Sequence, residues 1–280
     1  MKIPEFLVQI GNDSEKHRQW VDALPATFRK IKDAWKLDIQ GPCFENATCS
    51  YVVPCVTQNH LPAILKIGLP HPEALHEAEA LILLAGDPTV QLLKYDEATG
   101  AMLLEKCHPG THLRMKPERF QDKIICQILK KIWKGNYLDG LFRPLTHMVE
   151  LWNNETYANL EAFPDPELAK KGCKMKEYLI STTTKHTLLA TDLHAGNVLQ
   201  AQRKQWLAID LKPYFGDPCY DLTQHLINCK DRFIQDPIAL INRLANLTQL
   251  DAERIKLWMF SRLACEKQGV DQKIALKLIQ

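Results

Sequence analysis

Apolar and polar residues follow two different periods in the first part of the chain. Residues 14–36 carry large apolar side chains at helical spacing, which predicts one or two helices. Short β-rich runs within 41–58 and 61–70 are bounded by polar turn residues and predict strands. A helix is predicted over 76–86 and a pair of strands over 89–106. This part of the chain is therefore expected to be rich in β-structure.

The string CHPGTHL interrupts the pattern with Pro109 and Gly110, and helical spacing dominates after it. Helices are predicted over 116–134, 144–163, 175–184, 222–229, 237–244 and 251–267. We therefore predict an α+β fold of two lobes. A small β-rich N-terminal lobe with leading helices spans 1–106, and a larger, mostly helical C-terminal lobe spans 107–280.

Composition excludes several classes of protein. The 280 residues are 46% apolar and 24% charged, with a net charge of +2, so no nucleic-acid partner is expected. No run approaches the roughly 20 apolar residues of a membrane span, so no membrane is expected either. Nine cysteines without regular pairing, behind an N-terminus that lacks a signal peptide, indicate reduced thiols and a cytoplasmic protein.

The stretch LLATDLHAGNVLQAQRKQWLAIDLKPYFGDPCYDL carries the candidate chemistry. Asp192 and Asn197 have the spacing of the kinase catalytic loop D-x-x-x-x-N, and Asp210 ends the next apolar run. Asp192 is the candidate base for an acceptor hydroxyl, and Asn197 and Asp210 are candidate Mg²⁺ ligands. Turn and capping roles are the alternatives for each. His194, inside the loop, is predicted to bind loop backbone rather than to act as a base.

The N-terminal lobe supplies candidate phosphate contacts. Lys66 lies on the apolar strand AILKIG, where a buried amine needs a counter-charge, and Glu77 is its predicted partner with Glu79 as the competitor. A solvated lysine on an edge strand is the alternative. Residues 41–50 form a candidate phosphate-covering loop that is poor in glycine, with Ser50 and Thr48 as candidate donors.

Acidic residues near aromatic ones are candidates for the acceptor site. Asp217 and Asp221 follow the metal-binding motif, and Glu155 and Glu161 lie in a predicted helix rich in Trp and Tyr. Carboxylates combined with aromatic rings suit a hydroxylated, cationic small molecule. A structural role, capping the next helix, is the preferred alternative for Asp221.

Several strings resemble a known family. TDLHAGNVL is similar to the H-G-D-x-H-x-x-N loop of the aminoglycoside phosphotransferase family, and IDLKPYFGDPCYDL to its I-D-P-K-x-x-x-G-D-P-x-Y-D-L segment. HEAEALILLAGDPTVQLL, AMLLEKCHPGTHL and CSYVVPC resemble the branch of streptomycin 6-phosphotransferases and hydroxyurea phosphotransferases. The resemblance implies a protein-kinase-like bilobal fold, ATP and Mg²⁺ as cofactors, and a hinge at Glu105 and Cys107 beneath adenine. It supports the roles given to Asp192, Asn197, Asp210, Lys66 and Glu77.

Three positions depart from the family pattern. Thr191 replaces the usual glycine before the base, Ala195 the usual proline, and Leu211 the proline after the metal-binding Asp. Because none of them is a ligand, activity is expected to survive these changes.

The predicted function is ATP-dependent transfer of the γ-phosphate to a hydroxyl of a small molecule, with a streptomycin-type aminoglycoside as the preferred acceptor. Hydroxyurea or another small metabolite is the alternative acceptor. A catalytically silent, nucleotide-binding regulatory protein is the second alternative, and the intact catalytic set argues against it. The protein is expected to be a monomer or a weak dimer.

Overall fold

A computed structural model describes residues 3–279 except 46, 48, 73–74 and 136–139. The chain separates into two compact units. Unit 1 comprises Met1–Thr111 and Leu199–Ile209, and unit 2 comprises His112–Val198 and Asp210–Gln280. The chain therefore leaves unit 1, returns to it for one short segment, and leaves it again.

The described residues form an α+β structure, as predicted. Its helices are α1 (Glu5–Ile10), α2 (Glu15–Trp35), α3 (Glu77–Leu84), α4 (Glu118–Ile132), α5 (Leu145–Ala158), α6 (Pro166–Ser181), α7 (Pro218–Asn228), α8 (Lys230–Gln235), α9 (Pro237–Thr248), α10 (Ala252–Ala264) and α11 (Gly269–Leu278). Its strands are β1 (Asp38–Ile39), β2 (Ser50–Val56), β3 (Pro62–Gly68), β4 (Leu92–Asp96), β5 (Ala101–Glu105), β6 (Thr187–Leu189), β7 (Val198–Gln200), β8 (Trp206–Ala208) and β9 (Tyr214–Gly216).

An antiparallel sheet of order β1-β2-β3-β5-β4 forms the centre of unit 1. Alternate β2 residues such as Tyr51 and Val53 are buried, because successive side chains of a strand point to opposite faces. The apolar stripe of α2 covers them, with the Phe28 ring 5.4 Å from that of Tyr51 in an edge-to-face contact. The sequence predicted strand–turn–strand over 41–58, with the turn at 45–47. Its second strand is β2, but the described residues before the turn form no strand, and the outer strand is β1 instead.

The segment Leu199–Ile209 completes unit 1. Ala208 donates its backbone N–H to Pro88 and accepts one from Val90, at 2.9 and 3.1 Å. Arg203 binds the Glu105 carboxylate at 2.8 Å, where β5 ends. The predicted lobes, 1–106 and 107–280, place Leu199–Ile209 in the second lobe, whereas this segment packs in unit 1. As a division into nucleotide-binding and catalytic lobes, the boundary stays a prediction.

Three helices of unit 2 begin with the same Asp-Pro pair. Asp165, Asp217 and Asp236 each accept a backbone N–H from the first turn of α6, α7 and α9, respectively. Proline at the next position costs no hydrogen bond because that N–H has no partner within the helix. The structure therefore starts α6 and α7 earlier than the hydrophobic spacing predicted. No helix in the described ranges is long and apolar enough to cross a membrane.

A buried ion-pair network ties α4 to the helices that follow the catalytic stretch. Asp122 is fully buried and binds His225 at 3.0 Å, Arg232 at 2.9 Å and Arg243 at 2.8 Å. Asp122, His225 and Cys229 place ligand-type atoms within 4.8 Å of one another. Both carboxylate oxygens of Asp122 accept from guanidinium groups, so a cation would meet like charge, and the cluster is structural.

The network should make stability depend on pH through His225. Burial lowers the pKa of His225, but the hydrogen bonds to Asp122 and Cys229 outweigh burial and raise it to about 9. A raised folded-state pKa gives stability that is complete below about pH 6.5 and is lost as the pH rises through about 9. We expect His225→Gln to flatten this loss of unfolding free energy, measured by urea denaturation across that range.

The exposed His147→Gln on α5 is the matched control and should keep the wild-type pH dependence. An unchanged alkaline loss of stability in His225→Gln would show that this ion pair does not carry the effect.

Candidate active site

The candidate base lies in the loop between β6 and β7. Asp192 is the third residue of this loop, and a 3-10 turn, Ala195–Asn197, ends it. Asn197 Nδ2 donates to the backbone oxygen of Asp192 at 3.1 Å. The amide thus spans the loop and directs its own oxygen away from that contact.

Helix α7 holds the backbone of the loop through a buried carboxylate. Asp221 is fully buried and accepts the N–H groups of Ala190 at 3.0 Å and Thr191 at 2.7 Å. Trp133 Nε1 donates to the same carboxylate at 2.9 Å. Burial raises the pKa of Asp221 to about 6, while these donors oppose the shift. Asp221 therefore neither caps α7 nor faces an acceptor, the two roles that the sequence suggested.

Thr191 adopts a left-handed backbone conformation, with φ of +47°. Glycine takes this conformation without strain, whereas a β-branched residue does so rarely. The Thr191 hydroxyl donates to the backbone oxygen of Lys212, which offsets part of the strain. The geometry thus explains both the glycine that the family pattern has here and how threonine replaces it.

The Asp192 carboxylate is held from two sides. Lys212 Nζ lies 2.8 Å from Oδ2, and Gln224 Nε2 donates to Oδ1 at 2.7 Å. Both partners donate to the carboxylate and fix its direction. Sequence reasoning missed both residues. Lys212 stands two positions after Asp210 and matches the lysine of the family segment I-D-P-K, which was the signal that could have identified it.

His194 binds the loop backbone, as predicted. Its Nδ1 accepts the N–H of Gly196 at 3.1 Å, and burial lowers its pKa. The charges of Asp192 and Asp210 act in the opposite direction, which puts both carboxylates near the imidazole. A Cβ at Gly196 would lie 2.7 Å from His194 Cε1, so the close approach requires glycine.

Asp210 follows β8 and has a left-handed backbone, with φ of +57°. An amide oxygen from Asn197 and a carboxylate from Asp210 are hard oxygen donors of the kind that Mg²⁺ prefers. Because the Asn197 amide nitrogen is used within the loop, its oxygen is the atom left to face a cation. The residues present in unit 2 therefore fit a magnesium site.

In unit 1, Lys66 and Glu77 form the predicted ion pair. Lys66 Nζ lies 2.7 Å from both oxygens of Glu77, and both residues are buried. Lys66 is in the middle of β3, paired with Val52 on one side and Met102 on the other. It is therefore not a solvated lysine on an edge strand. Glu79, the competitor, is half-buried and contacts His76 instead of Lys66.

The remaining candidate nucleotide contacts lie along the sheet of unit 1. Ser50 is buried at the start of β2, and Thr48 lies outside the described residues. Glu105 uses its carboxylate on Arg203 and on the N–H of Gln91. Burial, followed by the charge of Glu105, raises the pKa of the Cys107 thiol to about 12. The side chains of Glu105 and Cys107 are thus engaged or neutral, and a hinge role would rest on their backbone.

The candidate acceptor residues have different surroundings. Glu155 lines a cavity of about 160 Å³ in unit 2, together with Trp152, Phe163, Lys176, Arg262 and Glu266. Glu161 is exposed and is not part of that lining. Asp217 is buried, and Arg254 and Trp258 bind the oxygen that does not cap α7. Asp217 also lines a second cavity in unit 2, of about 230 Å³, together with Leu145, His186 and Phe215. Both oxygens of the Asp217 carboxylate are already bound within the protein, so Glu155 is the candidate whose cavity we consider for an acceptor.

Comparison with known proteins gives a family and several relatives. The model of the family described as aminoglycoside/hydroxyurea antibiotic resistance kinase matches residues 34–268. A hydroxyurea phosphotransferase of Kitasatospora aureofaciens is 29% identical over 99% of this chain and 83% of its own length. A streptomycin 6-kinase of Streptomyces glaucescens is 28% identical over 89% of this chain and 83% of its own length.

Solved structures with low sequence identity share the fold. The choline kinase LicA from Streptococcus pneumoniae superposes with a TM-score of 0.61 at 16% identity, covering 92% of this chain and 98% of that one. Its complex with AMP gives a TM-score of 0.60 at 14% identity, covering 90% and 94%. The predicted protein-kinase-like fold is confirmed. The prediction of a small-molecule phosphotransferase is confirmed by the family match, because this chain belongs to the aminoglycoside/hydroxyurea antibiotic resistance kinase family.

Proposed function

We propose that this protein transfers the γ-phosphate of ATP, with Mg²⁺, to a hydroxyl of a streptomycin-type aminoglycoside. The observation that carries the proposal is the Asp192 carboxylate, which Lys212 and Gln224 hold at 2.8 and 2.7 Å in the loop that also orients Asn197. A fixed, ionised carboxylate beside candidate metal ligands is the arrangement that phosphoryl transfer to an alcohol needs.

Asp192 acts as the base in this proposal. Its carboxylate orients the acceptor hydroxyl and takes up the proton as the bond to phosphorus forms. A carboxylate suffices for this role because the transition state is loose and the proton leaves late. Lys212 and Gln224 restrict rotation of the Asp192 carboxylate, so it keeps one direction before the acceptor arrives.

Asn197 and Asp210 would hold Mg²⁺, which neutralises charge on the transferred phosphoryl group. Lys66 would bind phosphate oxygens, with Glu77 fixing the ammonium group at 2.7 Å. Ser50 would donate to phosphate, and the backbone at Glu105 and Cys107 would bind adenine. ATP is preferred to other nucleotides on the resemblance alone.

The acceptor is assigned to the cavity that includes Glu155. Trp152 and Phe163 offer aromatic faces, and Glu155 offers a carboxylate to a cationic group. A volume of about 160 Å³ holds one substituted group of an aminoglycoside or the whole of a molecule as small as hydroxyurea. Hydroxyurea or another small metabolite is therefore the alternative acceptor. Asp217 and Glu161 are not part of the proposed site.

Further expectations concern the state of the protein. All nine cysteines lie in the described part of the chain and are free thiols, which supports a reducing, cytoplasmic location. We propose a monomer or a weak dimer as the working form. A catalytically silent regulatory protein remains the competing function, and the next experiment separates the two.

Asp192→Asn should lower acceptor-dependent ADP release by about 10²- to 10⁴-fold, because the hydroxyl loses its proton acceptor. The measurement is a coupled ADP-release assay with Mg·ATP and a panel of streptomycin, other aminoglycosides, hydroxyurea and small amino alcohols. Asp231→Asn, at an exposed position of α8, is the control and should keep wild-type turnover.

Streptomycin-dependent turnover that Asp192→Asn lacks supports the proposal. Turnover with hydroxyurea alone favours the alternative acceptor. Retained turnover in Asp192→Asn would remove this residue as the base, and silence of the wild-type protein across the panel, with ATP still bound, would favour the regulatory function.

Asp210→Asn should weaken binding of Mg·ATP by about tenfold or more, since even residues that only support a metal ligand contribute this much. Titration calorimetry with and without EDTA measures the effect independently of turnover. Binding of metal-free ATP should be equal in the two proteins. Equal affinity for Mg·ATP would refute the ligand assignment.

Glu155→Gln should raise the KM for streptomycin about fivefold with little change in kcat, because a charge contact worth about 1 kcal/mol is lost. Glu161→Gln is the matched control, since Glu161 has the same chemistry outside the cavity. Steady-state kinetics at saturating ATP distinguishes them. Equal KM values for both variants would place the acceptor elsewhere.

A further inference from the structure

We propose that Gln224 positions the catalytic carboxylate and that Arg262 sets the direction of the Gln224 amide. The inference rests on the proposed role of Asp192 as the base. Neither residue belongs to the loop or to the motif strings around it. Both come from helices that follow it, Gln224 from α7 and Arg262 from α10.

The first argument concerns the two partners of Asp192. Lys212 reaches Oδ2 with a flexible side chain that is one-third exposed. Gln224 reaches Oδ1 from α7, where the neighbouring Thr223 and His225 are buried. A hydrated ammonium on a long stem specifies direction poorly, whereas an amide mounted on a buried helix specifies it well. Gln224 is thus the partner that can fix the plane of the carboxylate.

The second argument concerns the amide itself. A glutamine amide can be turned by 180° about its last bond, which exchanges its donor and its acceptor. Arg262 Nη2 lies 2.9 Å from Gln224 Oε1, and a guanidinium has only donors. The amide oxygen must therefore face Arg262, so the NH₂ group must face Asp192. Without Arg262, the reversed amide would set its oxygen against the carboxylate.

Arg262 is itself fixed in place. Its Nη1 donates to the Thr223 hydroxyl at 2.7 Å, and its guanidinium carbon lies 5.4 Å from the centre of the Tyr220 ring. Thr223 and Tyr220 belong to α7 as well, so three α7 residues hold this guanidinium. Arg262 also lines the cavity assigned to the acceptor, which makes it the link between that cavity and the base.

The third argument is that α7 holds the loop at two points. Asp221 binds the loop backbone at Ala190 and Thr191, and Gln224 binds the Asp192 carboxylate. Residues three apart share one face of a helix. The same helical face therefore fixes both the position of the loop and the direction of its functional group.

A double-mutant cycle tests the chain of contacts. Gln224→Met should lower kcat by about 10- to 100-fold, since a hydrogen bond to a charged group is lost, while the KM for ATP changes less than about twofold. Arg262→Met should lower kcat about tenfold at saturating acceptor, because the amide is no longer held. Since Arg262 acts through Gln224, the double variant should be no slower than Gln224→Met alone.

Conservative and matched variants separate positioning from folding. Arg262→Lys keeps a donor for Oε1 and should restore kcat to within about threefold of wild type. Gln121→Met removes a half-buried amide that also donates at 2.7 Å, to Lys116 on the approach to α4. Gln121→Met should lower Tm by about as much as Gln224→Met does, without changing kcat.

The outcomes separate this inference from the proposed function. If the fold-loss of kcat in the double variant equals the product of the losses in Gln224→Met and Arg262→Met, the two residues act independently. That result would overturn the role of Arg262 in orienting Gln224. Wild-type kcat in Gln224→Met, with Asp192→Asn inactive, would overturn the positioning role alone. Activity in Asp192→Asn would overturn both.

A crystal structure of Gln224→Met adds a readout that needs no turnover. Asp192 Oδ1 should leave the position that it has beside Gln224 in the wild-type protein. A carboxylate that keeps this position would show that Lys212 is sufficient and would overturn the proposal.

Discussion

The buried carboxylate of Asp221 is the contact on which the arrangement in unit 2 depends. It accepts the N–H groups of Ala190 and Thr191 and the indole of Trp133. Buried polar groups need hydrogen-bond partners. Here a carboxylate of α7 accepts hydrogen bonds from the loop backbone and from the indole at the end of α4, so the groups of all three segments are paired. The loop thereby acquires a fixed backbone at Ala190 and Thr191, next to the position from which Asp192 projects.

The placement of several residues of the candidate site could be predicted, because they lie close together along the chain or in a regular pattern. The D-x-x-x-x-N spacing places Asp192 and Asn197 in one loop whatever the rest of the chain does. Lys66 and Glu77 were predictable for another reason. A lysine within an apolar strand needs a counter-charge, and the next helix offers it.

The contacts that escaped prediction join residues far apart in sequence. Gln224 and Arg262 reach the site through the packing of α7 and α10, and polar residues on those helices look like ordinary surface positions in the sequence. The packing of Leu199–Ile209 in unit 1 was not predicted for the same reason. Its strands are only three residues long, and the partner of Arg203 lies at the end of β5.

The candidate acceptor residues show that acidic residues near aromatic ones are a poor guide to a binding site. Asp217 and Glu155 are both acids near aromatic rings and both line cavities, yet Asp217 also uses its carboxylate to cap a helix. The signal that could have distinguished them was present. Asp217 precedes a proline, as do Asp165 and Asp236, and all three cap the helix that follows. A local rule about helix starts was more informative here than the nearby aromatic residues.

The discontinuity of unit 1 has a consequence for the order in which the protein can be made. A ribosome releases the sheet of unit 1 first, then the helices α4 to α6, and only afterwards Leu199–Ile209. Until that segment emerges, Glu105 lacks the guanidinium of Arg203, and Pro88 and Val90 lack their backbone partners on Ala208. Unit 1 therefore cannot complete its folding during synthesis before the loop that carries Asp192 has been translated.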